Sequence, residues 1–104
     1  MMKNKLTEQV KNAVLQIEAN AEILLYGSRV RGDSSEQSDW DFLILLEGKV
    51  DDQRIDKIRH RLYELEWEYG EVISSIIRNK EEWHSMPFKS MPIHHEIEKE
   101  GIRL

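Results

Sequence analysis

Apolar residues follow two kinds of spacing along the chain, and each predicts a different element. In residues 4–18 and 51–69 they recur at intervals of three or four positions. Residues spaced in this way lie on one face of a helix, so both segments are predicted to be amphipathic helices. Gly70 follows the second segment at the position where a helix commonly ends in a left-handed glycine.

Three short apolar runs, at residues 22–26, 40–46 and 72–77, predict strands. The runs are largely continuous rather than alternating, which is typical of strands covered on both faces of a sheet. The remaining predicted elements are a short helix at 28–31, a polar loop at 33–38, a helical turn at 80–83 and a last helix beginning at 90–92.

The order of these elements predicts a single domain, residues 1–104, of the α/β (α+β) class. Helices and strands alternate, so we expect a small mixed three-stranded sheet packed with about four helices. Ile93, Ile97 and Ile102 are the apolar residues expected to dock the last helix. A chain of 104 residues that is 39% hydrophobic can bury one modest core.

The most informative side chains are two carboxylates at the start of the second predicted strand. Asp39 and Asp41 are two positions apart, so their side chains share one face of that strand, while Trp40 points to the other. Two ionised carboxylates placed together repel each other, and a hard cation such as Mg²⁺, or Mn²⁺ in its place, would remove that repulsion. The alternative is a pair of solvated acids at a strand end.

A glycine–serine step, Gly27-Ser28, follows the first predicted strand. Glycine lets the backbone approach a ligand closely, and the N-terminus of the short helix would favour an anion at Ser28. Arg29 and Arg31 can add positive charge, because guanidinium groups match phosphate oxygens. The step therefore indicates a phosphate-binding turn; the alternative is an ordinary turn in which Ser28 caps the helix.

Taken together, these residues resemble a known motif. The segments Gly-Ser-Arg-Val-Arg-Gly at 27–32 and Ser-Asp-Trp-Asp at 38–41 are similar to the signature of nucleotidyltransferases of the DNA polymerase beta superfamily. The likeness is greatest to the minimal nucleotidyltransferase proteins, whose motif reads Gly-Ser-x-Ala-Arg-Gly followed by Ser-Asp-x-Asp. Val30 stands where that family has a small residue.

The resemblance implies a nucleotidyltransferase fold and a Mg²⁺-dependent transfer of a nucleoside monophosphate, AMP from ATP, to a hydroxyl group. Asp39 and Asp41 would be the catalytic metal ligands. Gly27, Ser28, Arg29 and Arg31 would bind the nucleotide phosphates.

One part of the family pattern is missing from the sequence. Enzymes of this superfamily usually carry a third carboxylate on the third strand, whereas Ser74 and Ser75 lie in the middle of that strand here. Glu71, at the start of the strand, is the nearest candidate, although strand alternation places it on the opposite face from Ser74. A missing general base would slow an enzyme by about 10²–10⁴-fold.

The resemblance also suggests an acceptor on another chain. Minimal nucleotidyltransferases commonly pair with small helical HEPN proteins as the antitoxin of a toxin–antitoxin pair, and they transfer AMP to a tyrosine of that partner. A competing hypothesis is a catalytically weak or inactive binding module that neutralises the helical partner by contact. Transfer to a small molecule, as in aminoglycoside nucleotidyltransferases, is less favoured because those enzymes carry an added domain.

Charge and composition limit the classes of partner and the chemistry that the chain can have. The formal net charge is −5, which argues against nucleic acid as the main partner because duplex binding relies on Lys and Arg. Cysteine is absent, so disulfides and thiolate chemistry are excluded. The sequence shows neither an apolar span nor a signal peptide, and a cytoplasmic location is expected.

Histidines and aromatic residues are predicted to be structural. His60 is expected at the surface, and the pair at 94–95 is expected to be solvated because adjacent helical side chains point about 100° apart. The aromatic residues predicted to pack within helices and the core are Tyr63, Trp67, Tyr69 and Trp83.

Overall fold

The second predicted strand, which contains Asp41, is an inner strand of a four-stranded mixed sheet. In this computed structural model, residues 5–32 and 38–104 are described. The elements are α1 (Lys5–Ile17), β1 (Glu22–Tyr26), α2 (Ser28–Arg31), β2 (Trp40–Leu46), α3 (Asp52–Tyr69), β3 (Ile73–Asn79), α4 (Lys80–Trp83), a 3₁₀ turn (Phe88–Ser90), α5 (Pro92–Glu100) and β4 (Ile102–Arg103). The predicted start at residue 4 and most of the predicted loop, residues 33–37, lie outside the described residues.

The strand order is β3-β2-β1-β4. β1 pairs antiparallel with both β2 and β4, and β2 pairs parallel with β3. In this register Tyr26 lies opposite Asp41, and Asp41 lies opposite Ser74. The end of β1 and the start of β3 therefore flank the start of β2, so residues from three strands meet at one end of the sheet.

Helices cover both faces of the sheet, which explains the continuous apolar run of β2. One core lies under α1 and α3 and includes Trp40, Phe42 and Ile44. The second core lies on the opposite face, where Leu43 and Leu45 pack with residues of α4 and α5. Successive β2 side chains alternate between these cores, as the pleat of a strand requires.

The α/β class is confirmed, and two details differ from the prediction. The sheet has four strands within the described residues rather than three. Ile102 does not dock the last helix; it lies in β4 and pairs with Leu25 of β1. The described residues also form five α-helices rather than about four, since the predicted turn at 80–83 is a helix of its own. Ile97 is buried in the second core and Ile93 packs against it, as expected.

Helix ends follow their sequence signals. Gly70 has a φ of 66° and ends α3 in the left-handed conformation, as predicted. None of the helices in the described part of the chain has the length and apolar character that a membrane span requires.

Candidate active site

Asp39, which precedes β2, and Asp41, within it, lie on the side of the sheet that faces α5. Trp40 is 5% exposed and belongs to the core under α1 and α3. Asp41, the next residue, therefore points to the opposite face, and Asp39 shares that face because it is two positions away. The hydroxyl of Ser74, the β3 partner of Asp41, donates to Asp39, so the two carboxylates lie near each other.

The glycine–serine turn lies directly against Asp41. Gly27 has a φ of 83° and a ψ of −158°, a conformation that is nearly confined to glycine. A Cβ at this position would lie 2.5 Å from Asp41 Oδ2. The missing side chain of Gly27 is therefore what allows the turn and the carboxylate to be neighbours.

The same turn starts α2. The backbone N–H groups of Val30 and Arg31 donate to the carbonyl of Gly27 at 3.0 and 3.1 Å. Ser28 is the first residue of this four-residue helix and is partly exposed. The predicted phosphate-binding turn and the carboxylate pair are therefore brought to one end of the sheet, while their roles toward nucleotide and metal stay predictions.

Ser74 occupies the position on β3 where the family pattern predicts the third carboxylate. It is the β3 partner of Asp41 in the parallel register. Its hydroxyl donates to Asp39 Oδ2 at 3.1 Å. A serine here orients the first carboxylate but adds no negative charge.

Glu71 and Arg29 contact each other on the other side of β2. Arg29 Nη2 lies 3.5 Å from Glu71 Oε2, and the guanidinium carbon lies 4.3 Å above the Trp40 ring. Arg29 Nη2 also donates to the Ser38 carbonyl at 2.8 Å. Arg29 thus holds the backbone that leads into Asp39, and Glu71 faces the guanidinium that covers Trp40. Their assignment to phosphate and metal binding stays a prediction.

Arg31 connects α2 to α5. Its Nη1 lies 3.3 Å from both Glu96 Oε1 and Glu100 Oε2. Arg31 therefore holds two acids of α5 against the helix that follows the glycine–serine turn. Its predicted role toward phosphate is compatible with this position.

A comparison of the whole chain with known protein families agrees with this geometry. A model of the nucleotidyltransferase domain matches residues 7–100. The chain belongs to the nucleotidyltransferase domain family.

A solved crystal structure of a candidate nucleotidyltransferase is similar to this nucleotidyltransferase domain with a TM-score of 0.56 and 24% identity. The alignment covers 94% of this chain and 96% of the other. At this identity the likeness is one of fold, and it confirms the predicted nucleotidyltransferase fold. No functionally curated protein matches the chain.

The electrostatics of the candidate site centre on Asp41. Partial burial raises the pKa of this carboxyl, and the charges of Asp39 and then Glu96 raise it further. Burial also raises the pKa of Tyr26 to about 12, with Asp41 and Glu96 as additional causes. Negative charge therefore accumulates at this end of the sheet.

A divalent cation fits this arrangement. Nucleotidyltransferase domains commonly use divalent metal ions. The donors here are carboxylate oxygens, the ligands that Mg²⁺ prefers, and a cation beside Asp39 and Asp41 would offset both the burial and the repulsion that raise the pKa of Asp41.

Sequence reasoning missed Glu96, Ser74 and Tyr26 as parts of the site. Ser74 could have been found from the parallel register, since it lies opposite Asp41. Tyr26 ends β1, but its place beside the carboxylates depends on strand pairing. Glu96 lies far along the chain on α5, and no local pattern indicates which end of the sheet that helix reaches.

Asp41→Asn is expected to raise the free energy of unfolding near neutral pH. Because the folded state raises the pKa of Asp41, ionised Asp41 costs stability; this cost is absent below the unfolded pKa and grows as pH rises through the folded pKa. The gain of the variant should therefore be clear at about pH 7.5 and shrink toward about pH 4. Urea denaturation at both pH values measures it.

The control is Asp56→Asn, because Asp56 is exposed on α3. This variant should show no comparable gain. An Asp41→Asn protein that is less stable than wild type at the higher pH would contradict the proposed cost of the buried charge.

Gly27→Ala is expected to destabilise the protein more than Gly32→Ala. Both glycines have a positive φ, of 83° and 84°, but only the Cβ at Gly27 meets Asp41. Nothing in the described part of the chain lies within 4 Å of a Cβ at Gly32. We expect a loss of about 1–2 kcal/mol for Gly32→Ala, from backbone strain alone, and a larger loss for Gly27→Ala.

Chemical denaturation of the two variants gives the comparison. Equal losses would mean that the approach of the turn to Asp41 is not a constraint on the fold.

Proposed function

We propose that the protein transfers a nucleoside monophosphate, AMP from ATP, to a hydroxyl group on a helical partner protein of the HEPN type. The observation that carries the proposal is the contact between Gly27 and Asp41, which brings a phosphate-binding turn against a carboxylate pair. Membership of the nucleotidyltransferase domain family supports nucleotidyl transfer in general.

Separate residues would bind the metal ion and the phosphates. Asp39 and Asp41 would hold Mg²⁺, or Mn²⁺ in its place, and the ion supplies positive charge to the phosphate oxygens. Ser28 and the backbone of the Gly27 turn orient the phosphate chain. Ser74 keeps the Asp39 carboxylate in place through its 3.1 Å hydrogen bond.

The reaction is an in-line displacement at the α-phosphorus. A bond forms between the acceptor oxygen and this phosphorus, the bond to the bridging oxygen of the β-phosphate breaks, and pyrophosphate leaves. The acceptor hydroxyl must also lose its proton. We assign this step to Glu96, because α5 packs on the sheet face that carries Asp41, whereas Glu71 lies on the other side of β2. Both acids are paired with an arginine, Glu96 with Arg31 and Glu71 with Arg29.

An exposed apolar surface next to the site supports a protein acceptor. Trp67 is 89% exposed, and Tyr63 and Val72 are more than half exposed. This outcome corrects the prediction that Tyr63 and Trp67 pack within the core, whereas Trp83 is buried and Tyr69 packs against the core as expected. Large exposed aromatic residues are typical anchors of protein interfaces.

The surface lies at the end of the sheet that carries the carboxylates, on the opposite face of β2. The Val72 carbonyl accepts a hydrogen bond from the Trp40 N–H at 2.9 Å. Trp67 and Val72 also line one groove with Glu71. A partner bound there would lie beside the start of β2, where its hydroxyl could approach the site.

The alternative function is a binding module that neutralises the partner by contact. The serine at position 74 favours it, because this side chain cannot act as the third carboxylate. The exposed apolar surface would serve such a module equally well.

Transfer to the partner is tested with ATP labelled at the α-phosphate, Mg²⁺ and the protein encoded by the neighbouring reading frame. We expect label on the partner with wild type, and loss of at least about 10²–10⁴-fold in rate for Asp39→Asn and Glu96→Gln. Glu71→Gln is the matched control and should retain activity if Glu96 is the third acid.

The outcomes separate the two functions. Neutralisation of the partner that survives Asp39→Asn, with no label transferred by wild type, would favour the binding module. Loss of activity in Glu71→Gln but not in Glu96→Gln would show that Glu71, not Glu96, accepts the proton of the hydroxyl.

Docking is tested separately with Trp67→Ala. We expect this variant to weaken binding of the partner by about 30-fold, the loss typical of an interface anchor, and to leave thermal stability unchanged because Trp67 is exposed. Met86→Ala is the control, since Met86 is also exposed and apolar but follows α4. Equal binding by both variants, measured by isothermal titration calorimetry, would exclude this surface.

A further inference from the structure

A second cluster of metal-ligating side chains lies where α4 meets α5. His84 directly follows α4, and His94 and Glu98 lie one turn apart on α5. One potential ligand atom from each of these three residues lies within 4.8 Å of the other two. His84 Nδ1 is 3.6 Å and His94 Nε2 is 3.9 Å from the same oxygen, Glu98 Oε1.

The decisive side chain is His94, which corrects the prediction of a solvated histidine pair. It is only 5% exposed, and its ring stacks on Trp83 with 5.1 Å between ring centroids. Its Nε2 is buried without a hydrogen-bond partner in the described part of the chain. A buried nitrogen of this kind is costly unless a ligand satisfies it.

The unpartnered nitrogen faces the other two ligands. The His84 ring meets the His94 ring edge-on, with 5.7 Å between centroids. The separation of 3.9 Å between His94 Nε2 and Glu98 Oε1 is too long for a hydrogen bond and leaves a gap between the two atoms.

We propose that His84, His94 and Glu98 bind one zinc ion. Zinc takes imidazole nitrogen and carboxylate oxygen at about 2.0–2.2 Å, so ligand atoms around a tetrahedral ion lie about 3.3–3.6 Å apart. The observed separations from Glu98 Oε1 are 3.6 and 3.9 Å, and small side-chain rotations would close the rest. Two histidines and one glutamate leave a fourth position for water.

The ligand set is chemically different from the carboxylate pair of the candidate active site. Asp39 and Asp41 offer only oxygen, which suits Mg²⁺, whereas imidazole nitrogen favours zinc and related transition metals. Glu96 and Glu98 are two positions apart on α5, so they project from different sides of the helix. One side reaches Arg31 and the other reaches His84.

A bound ion would connect the end of α4 to α5. Glu98 and His84 are 56% and 47% exposed in their side chains, so an ion can enter from solvent. The ion would bind the folded chain, in which the three ligands are assembled, and would therefore raise thermal stability. It would also hold α5, the helix that carries Glu96.

The test uses the full chain stripped of metal with a chelator. Zinc is titrated in competition with a chromogenic chelator, in excess Mg²⁺, and thermal unfolding is followed with and without zinc. We expect one zinc ion per chain and a melting temperature that rises with zinc concentration. His84→Gln and Glu98→Gln should weaken zinc binding by at least about 100-fold. Because both side chains are about half exposed, we expect these variants to fold, and weaker zinc binding would then report loss of a ligand.

Matched controls are His60→Gln and His95→Gln, which remove exposed histidines outside the cluster. Both should bind zinc as wild type does. Asp39→Asn should also keep the zinc affinity, which separates this site from the carboxylate pair and makes the result independent of any transferase activity. Absence of saturable binding, or equal zinc affinity in His84→Gln and wild type, would overturn the proposal.

Discussion

The pairing of β1 with β2 is the constraint on which the candidate site depends. It sets Tyr26 opposite Asp41, so the turn that follows Tyr26 must pass against the Asp41 carboxylate. Only a residue without a Cβ can make that passage, because Asp41 Oδ2 lies 2.5 Å from where a Cβ would stand. The carboxylate gains a fixed position at the cost of partial burial, which raises its pKa. A carboxylate held in this way lowers the free energy of unfolding when it is ionised, and a bound cation would offset that loss.

The last helix then completes the surroundings of that carboxylate. α5 packs on the sheet face that carries Asp41, and its Glu96 and Glu100 hold Arg31 from the helix after the turn. On another side of the same helix, His94 and Glu98 face His84. The position of α5 therefore decides both the charge balance near Asp41 and the geometry of the histidine cluster, so an ion bound at that cluster would steady the helix that carries Glu96.

Several parts of this arrangement were predictable from local sequence. The bounds of β1, α2 and β2 follow from two apolar runs separated by a glycine–serine step, and the shared face of Asp39 and Asp41 follows from the period of a strand. The motif at 27–32 and 38–41 indicates the family independently of the topology. That Trp40 points away from the two aspartates required only alternation along β2.

What the sequence alone determined is the set of elements and the motif, because helix periodicity, strand runs and turn residues act over a few neighbouring positions. Tertiary structure decided which distant residues meet. It brought Ser74 rather than an acid beside Asp41, paired Glu71 with Arg29, and paired Glu96 with Arg31. It also buried His94 against Trp83, since helix packing, unlike periodicity, depends on contacts between segments far apart in the chain.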